Sequence, residues 1–263
     1  MRVTLAQLSP RPREVAANLN RAVGLIEEHA GAELLVLPEL FLSGYELSEV
    51  ESLAVEVDGP EVERLRRSAG EANLALILGL AEHTVGGVAN SAVCIDESGE
   101  LAGVYRKTHL FGAESDAYVA GDRLSVFTLG GRSVGVMICF DLEFPEVART
   151  LAAHGADLLV TISANSPPFE MDHDLFARTR ALENGLPHVY VNRVGEEDGL
   201  SFCGGSLALD PDARVLAEAG PDAERVLHAD LGSPLRHDPR TRYREQLRAE
   251  LYANAVQAVG EEL

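Results

Sequence analysis

Three polar residues could together carry out acyl transfer, and each lies within two residues of the end of a short apolar run. Glu39 follows the run at 34–37, Lys107 follows a run that ends two residues earlier, and Cys139 follows the run at 134–138. A cysteine thiol can act as a nucleophile and a carboxylate as a general base. An ammonium can stabilise the oxyanion of a tetrahedral intermediate. The residue types therefore predict an acyl-transfer site with a covalent intermediate on Cys139.

Lys107 is also distinctive in composition, because it is the only lysine in the chain. The other 21 of the 22 basic residues are arginine. The guanidinium is flat and forked, whereas an ammonium is a compact point charge that fits beside a small reacting centre. Its position after a strand, between Glu39 and Cys139 in the sequence, favours a chemical role over that of a stray surface residue.

The proposed roles place demands on the surroundings of each group. Cys139 needs a favoured thiolate, which a helix beginning near Phe144 and a nearby ammonium would both promote. Glu39 needs a dry pocket that raises its pKa toward neutrality. The backbone N–H of Phe140 is a second candidate donor to the oxyanion.

The elements that position these residues are short apolar strands alternating with helical patterns. No linker or repeat divides the chain, so we predict one domain over 1–263 and a layered α/β or α+β sandwich with a mixed sheet. The predicted strands are 3–8, 34–37, 74–80, 90–95, 101–105, 125–129, 133–138, 157–162, 188–192, 202–209, 214–217 and 226–229. The predicted helices are 13–30, 60–72, 145–154, 175–185 and 240–259, and 107–123 is predicted as a loop.

Composition limits the classes of partner. A formal net charge of -20 disfavours nucleic acids and anionic membrane surfaces. No run of 18 apolar residues predicts a transmembrane helix, and the N-terminal segment does not resemble a signal peptide. Three cysteines are an odd and sparse set, which favours a reducing, cytoplasmic setting. The acidity is consistent with solubility or with adaptation to high salt.

Three ordered segments resemble the signature segments of the nitrilase superfamily, the carbon–nitrogen hydrolases with a Glu-Lys-Cys triad. They are LPEL at 37–40, YRKTHLF at 105–111 and ICFDLEFPE at 138–146. The likeness extends over nearly the whole chain, through the opening strand and the late segments at 178–184, 191–195, 202–206 and 210–212.

The resemblance implies an αββα four-layer sandwich that assembles as a homodimer or a higher homo-oligomer. It implies amide hydrolysis through a thioester, with no metal or organic cofactor. It also implies a second glutamate, in the loop after the lysine, that orients the substrate. Glu114 is the matching residue, and Asp116 is a nearby competitor.

The expected substrate is a small neutral or cationic carboxamide. We expect substrate contacts from Phe140, Glu143 and Asn165. Relatives that act on carboxylate-bearing substrates often place arginine just after the nucleophile, where Leu142 and Glu143 stand here. If Glu143 faces the pocket, it disfavours ω-amido acids and N-carbamoyl amino acids. If it points into a salt bridge, those alternatives stay open. Amidase activity is favoured over nitrilase activity because nitrile-cleaving relatives are longer.

Competing hypotheses have weaker support. A papain-like hydrolase would need His109 or His188 beside Cys139, but neither stands in that family's local pattern. A metal site at His173 lacks a second ligand cluster. A non-catalytic scaffold is disfavoured because all three triad positions are filled. An ammonia-supplying subunit of a larger complex stays possible. Cys94 and Cys203 are interpreted as structural residues.

Overall fold

Two six-stranded sheets form the centre of the molecule, in a computed structural model that describes residues 1–236 and 238–252. In the first sheet β1 is parallel to β2 and β2 to β3, and the remaining neighbours are antiparallel. Its strands, in spatial order, are β14 (Arg225–Asp230), β1 (Arg2–Gln7), β2 (Leu34–Val36), β3 (Ala75–Thr84), β4 (Gly87–Ile95) and β5 (Leu101–Arg106).

The second sheet has the same mixed character, with β7, β8 and β9 parallel to one another. Its strands, in spatial order, are β13 (Val215–Glu218), β12 (Leu207–Leu209), β9 (His188–Asn192), β8 (Leu158–Ser163), β7 (Arg132–Ile138) and β6 (Val126–Leu129). Two further strands, β10 (Val194–Glu197) and β11 (Leu200–Cys203), pair only with each other.

Helices cover the outer faces of both sheets. The helices are α1 (Val15–Glu28), α2 (Val50–Leu53), α3 (Pro60–Ala72), α4 (Glu114–Ala117), α5 (Pro145–Ala153) and α6 (Glu170–Asn184). Helices α1 and α3 pack on the first sheet, while α5 and α6 pack on the second. Among the described residues, no helix is long and apolar enough to cross a membrane.

The alternation of side chains along each buried strand explains the four layers. Leu34 and Val36 point into the core between the sheets, whereas Leu35 and Leu37 pack toward α1 and α3. Because both faces of these strands are buried, they are uniformly apolar in sequence. The αββα sandwich of the α+β class is confirmed.

Several predicted elements have different ends in the structure, as in α6, which begins at Glu170 rather than at residue 175, and two predictions were wrong in more than their ends. The predicted strand 202–209 is interrupted by Gly204 and Gly205, whose φ angles of 53° and 74° lie in the left-handed region. The predicted helix 240–259 is replaced up to residue 252 by short 3₁₀ turns at Pro239–Thr241, Tyr243–Gln246 and Ala249–Leu251. The Asp238 carboxylate accepts from the backbone N–H of Arg240, which is a local bond that competes with helix formation. Residues 253–259 of that prediction lie outside the described residues.

Candidate active site

Glu39 is held by a tight turn at the end of β2. Pro38 stops the strand, and Leu40 takes a positive φ of 50°. Gly79 in β3 lies so close that a side chain there would overlap the backbone of Pro38 and Glu39. This close approach carries the Glu39 carboxylate into the interior, where it is fully buried.

Lys107, which follows β5, brings two of the predicted carboxylates together. Its Nζ lies 2.8 Å from Glu39 Oε1 and 2.8 Å from Glu114 Oε1. All three side chains are almost completely buried. Glu114 begins α4, a single helical turn within the stretch that was predicted as a loop. The structure therefore places Glu114, rather than Asp116, on the lysine.

Cys139 lies at a sharp turn, where β7 ends and the 3₁₀ turn Cys139–Glu143 begins. Its φ of 46° is in the left-handed region, which is costly for a residue with a side chain. Such a turn places the thiol, which is partly exposed, at the end of the strand and facing a cavity. Asp141 braces the turn, since its Oδ2 accepts from the Ile138 backbone N–H at 3.0 Å.

Asp141 also ties the nucleophile turn to the lysine segment, a role that sequence reasoning did not assign. Its carboxylate accepts from Tyr105 Oη at 2.7 Å, from Thr108 Oγ1 at 2.8 Å and from the His109 backbone N–H at 3.0 Å. These partners flank Lys107 on both sides. One fully buried carboxylate thus fixes the position of the lysine segment relative to Cys139.

Two more donors hold Glu39 and were also missed. Asn90 Nδ2 donates to Glu39 Oε1 at 2.6 Å, and the Ala164 backbone N–H donates to Oε2 at 2.7 Å. Asn90 is a polar residue inside an apolar strand, and that oddity was the only sequence signal for it. The Ala164 contact joins the two sheets, so no local pattern could reveal it.

Glu114 is fixed in a similar way from two sides. Tyr45 Oη donates to Glu114 Oε1, and the Phe111 backbone N–H donates to Oε2, both at 2.8 Å. Together with Lys107 these contacts leave the carboxylate little freedom to rotate. Glu114 therefore pairs with Lys107 and also lines the cavity that contains Cys139.

The pKa values of the central groups follow from burial and from one another. Burial raises the pKa of the Glu39 carboxyl, while Lys107 opposes the shift. Burial lowers the pKa of Lys107, but the charges of Glu39, Cys139 and Glu114 together hold it well above its ordinary value. Burial, with Glu39, also raises the pKa of the Cys139 thiol. Burial thus outweighs the opposing effect of Lys107 on the thiol pKa, so transfer of the thiol proton to a base would assist attack by Cys139.

The cavity beside Cys139 is small, about 90 Å³, and largely aromatic. Phe140, Glu143 and Asn165, which were predicted to contact substrate, all line it. Glu143 combines features of both predicted alternatives. It faces the cavity, and its Oε1 also lies 3.5 Å from His173 Nε2. Asn165 uses its side-chain amide to donate to the Phe169 carbonyl at 3.0 Å, so it holds the wall of the cavity.

The histidines considered for a papain-like site are engaged elsewhere. His109 lies 2.9 Å from Asp141 and stacks on the Phe144 ring. His188 is buried between Thr161 and the Ala177 carbonyl, and burial lowers its pKa to about 4. Within the described residues, no group of three or more His, Cys, Asp or Glu side chains is arranged to hold a metal ion.

A family model of carbon–nitrogen hydrolases matches residues 2–237 of the sequence. The chain belongs to the carbon–nitrogen hydrolase family. It is therefore an enzyme of the nitrilase superfamily, as its motifs predicted.

Individual relatives of this hydrolase are amidases. The chain is 40% identical over 235 residues to an (R)-stereoselective amidase of Pseudomonas sp., covering 88% of this chain and 85% of that protein. It also resembles a solved amidase of Nesterenkonia sp. AN1 from the nitrilase superfamily, with a TM-score of 0.85 and 33% identity, covering 97% and 96% of the two chains. A glutamate-to-glutamine variant of that amidase, with a TM-score of 0.83, 33% identity and the same coverage, shows covalent addition of the acetamide moiety of fluoroacetamide at the active site cysteine.

Proposed function

We propose that this hydrolase converts small neutral or cationic carboxamides into a carboxylic acid and ammonia through a thioester on Cys139. One observation carries the proposal. A lysine ammonium is buried between two carboxylates, beside a strained cysteine turn that faces a small cavity. This arrangement supplies a nucleophile, a base and an oxyanion donor within one enclosed site.

In the first half of the reaction, Glu39 takes the proton of the Cys139 thiol and sulfur attacks the amide carbon. Lys107 and the Phe140 N–H stabilise the oxyanion that forms, because N–H groups in the first turn of a helix are directed away from intrahelical partners. The C–N bond then breaks, and the leaving nitrogen takes the proton from Glu39. Ammonia departs, and the acyl group stays on sulfur as a thioester.

In the second half, Glu39 takes a proton from water and the resulting hydroxide attacks the thioester. The C–S bond breaks, sulfur recovers the proton from Glu39, and the carboxylic acid leaves. The raised pKa of Glu39 suits this double role, since a base that must also act as an acid works best near the operating pH. Glu114 would orient the substrate amide while it holds the lysine.

The charge of the cavity supports the choice of substrate. Glu143 faces the cavity and is 28% exposed, so a carboxylate-bearing amide would meet a like charge. The small volume favours short acyl chains. ω-Amidase and N-carbamoyl-amide hydrolase activity are the alternatives, and both require an anionic substrate in this cavity.

We also propose a cytoplasmic homodimer. The three cysteines are free, which suits a reducing compartment. One face of α6 exposes Met171, Leu175 and Leu182, at helical spacing. Exposed apolar stripes of this kind are typical of association surfaces. Replacement of Leu175 by glutamate should reduce the mass measured by light scattering from that of a dimer to that of a monomer.

The catalytic proposal is tested with a panel of substrates and a trapped intermediate. Ammonia release is measured with propionamide, butyramide, a nitrile, an N-carbamoyl amino acid and an ω-amido acid. Mass spectrometry of quenched enzyme should show an acyl mass gain on the peptide that contains Cys139. Turnover of butyramide without that gain contradicts the thioester route. Preferred turnover of the anionic amides contradicts the proposed substrate class.

A further inference from the structure

We propose that Glu143 and His173 form a subsite for the ammonium group of a substrate, so that the enzyme prefers carboxamides that carry a cationic amine. The inference rests on the proposed function, because both residues line the cavity that contains Cys139. It names a narrower substrate class and assigns its recognition to two side chains.

The charge balance of the cavity favours a cation. Among the described residues no arginine or lysine lines it, and its carboxylates are Glu114 and Glu143. Glu114 is paired with Lys107, whose single charge is already shared with Glu39. Glu143 is left facing the cavity without a permanently charged partner. A substrate ammonium would supply the missing positive charge.

The hydrogen bonds behind His173 point to the same conclusion. His173 Nδ1 lies 2.9 Å from Tyr190 Oη, whose hydroxyl donates to Ser163 Oγ at 3.3 Å, so the tautomer that uses both contacts is the one in which His173 Nδ1 donates to Tyr190 Oη. A neutral His173 that donates from Nδ1 presents a lone pair at Nε2. That atom lies 3.5 Å from Glu143 Oε1, which is also an acceptor. In this tautomer two acceptors face each other, and a primary ammonium, which has three N–H groups, can donate to both.

The walls of the cavity suit a small cation as well. Phe111 lies with its ring centroid 5.2 Å from that of Phe140 and 5.7 Å from that of Phe169, and all three line the cavity. Aromatic faces attract ammonium groups through the ring quadrupole. A carboxylate at one end of such a cavity holds the cation in one position.

The backbone of Glu143 is held in place at the wall of the cavity. Arg180, which is buried in α6, donates from Nε to the Leu142 carbonyl at 2.9 Å and from Nη2 to the Glu143 carbonyl at 2.8 Å. The same segment follows the braced turn at Cys139. The backbone position of Glu143 relative to the nucleophile is therefore fixed, and it limits where along the acyl chain the amine can stand.

The test compares substrates that differ in charge at nearly constant shape. β-Alaninamide, butyramide and succinamate present an ammonium, a methyl group and a carboxylate at the end of the acyl chain, with glycinamide and propionamide as a shorter pair. We expect kcat/KM for the better cationic amide to exceed that of its neutral match about tenfold or more, the size of one charge-assisted hydrogen bond.

Glu143→Gln should bring this ratio close to one, and Glu143→Arg should shift preference toward succinamate. Glu146→Gln, an exposed glutamate three residues later, is the matched control and should keep the wild-type ratio.

The outcomes separate this inference from the proposed function. Wild-type turnover of butyramide with no preference for either cationic amide overturns the subsite and leaves the amidase proposal intact. A cationic preference that survives in Glu143→Gln overturns the assignment to this residue. If no amide is hydrolysed, the proposed function fails. Calorimetric binding to the Cys139→Ala variant then tests the subsite alone, and tighter binding of butyramide than of β-alaninamide overturns it.

Discussion

Two buried ion clusters lie on either side of Tyr45, and they use different cations. The Tyr45 side chain donates to Glu114 at 2.8 Å, while its backbone N–H donates to Glu197 at 2.9 Å. We refer to the first as the lysine cluster, formed by Glu39, Lys107 and Glu114. The second is the arginine pair, formed by Arg193 and Glu197. One residue therefore contacts a site that is suited to chemistry and a site that is suited only to support.

Both side chains of the arginine pair are almost completely buried. Arg193 Nη1 lies 2.7 Å from Glu197 Oε2, and its guanidinium stacks 4.0 Å from the Phe202 ring centroid. A side chain at Gly44 would collide with the Glu197 carboxylate, so glycine is required there. A flat cation suits this place because it can bond at its edge and stack on its face. One cation and one carboxylate balance in charge, although Glu197 Oε1 and the guanidinium nitrogens have no hydrogen-bond partner among the described residues.

The lysine cluster is as deeply buried but unbalanced in charge, and its Glu114 lines a cavity together with Cys139. One ammonium faces two carboxylates, and Cys139 lies close enough to raise the pKa of that ammonium further. The excess negative charge keeps Glu39 ready to accept a proton, while the cavity gives a substrate access. A compact ammonium can reach both carboxylates and still leave an N–H for an oxyanion. The single lysine of the chain therefore stands where a compact point charge serves two carboxylates at once.

Removal of the nucleophile should have the largest effect on this comparison. Cys139→Ala leaves both ion clusters in place and deletes the atom that the lysine cluster serves. We expect turnover of butyramide to fall by a factor of about 10⁴ or more, with the melting temperature nearly unchanged. Cys203→Ala is the matched control, because that thiol lines a neighbouring cavity and donates to the Asn165 carbonyl. Residual activity of the Cys139 variant near the wild-type level would remove Cys139 from the mechanism.

Substitution of each cation by the other type, in Lys107→Arg and Arg193→Lys, should have the next largest effect and should distinguish the roles of the two clusters. Lys107→Arg keeps the charge but misplaces the oxyanion donor, so we expect kcat to fall by about 10²–10³. Arg193→Lys loses the stacking on Phe202 and part of the ion pair, so we expect a loss of about 1–3 kcal/mol in the free energy of unfolding. Steady-state kinetics and urea unfolding of both variants measure the two effects. Equal losses of activity and of stability in the two variants would contradict the division of roles.

The pH dependence of activity tests the lysine cluster without replacing any of its charged groups. Glu39 must be ionised to take the thiol proton, so kcat/KM should fall as the pH is lowered through the Glu39 pKa. Burial places that pKa above the value of 4.5 that is ordinary for glutamate. Asn90→Ala removes a donor that favours the carboxylate, so the acid limb should move to higher pH. Ser91→Ala, the next residue in β4, bonds to Glu82 instead and should leave the limb in place. A shift to lower pH in the Asn90 variant would contradict Glu39 as the base.

The two clusters also differ in how visible they are in the sequence. Glu39, Lys107 and Cys139 each follow an apolar strand, so a local pattern was enough to predict them. Arg193 lies between Asn192 and Val194 in the short link after β9, and although the segment 191–195 resembles the family, nothing local indicates that this arginine is buried. The guanidinium of Arg193 is covered by Phe202, which the β10–β11 hairpin places over it.

Errors in the predicted fold have the same physical origin. The strands were visible because burial on both faces makes them uniformly apolar. The predicted C-terminal helix had good helical residues, but in its described part, 240–252, the apolar residues Leu247 and Leu251 are exposed. Arg244 instead donates to the Ala152 carbonyl at the end of α5, and Arg236 lies 2.8 Å from Asp212. Those contacts are made with distant parts of the chain, and local propensity does not encode them.

Tyr45→Phe should have the smallest effect, and it probes both clusters at once. The variant loses the hydroxyl that donates to Glu114 but keeps the backbone N–H that donates to Glu197. Lys107 and the Phe111 N–H still hold Glu114, so we expect only a 3–10-fold loss of kcat/KM, about 0.5–1.5 kcal/mol. Phe202→Leu is the mirror variant, and it should lower the free energy of unfolding by about 0.5–2 kcal/mol with little change in kcat/KM. If the Tyr45 variant loses mainly stability and the Phe202 variant mainly activity, the clusters are coupled through this contact and the division between chemistry and support fails.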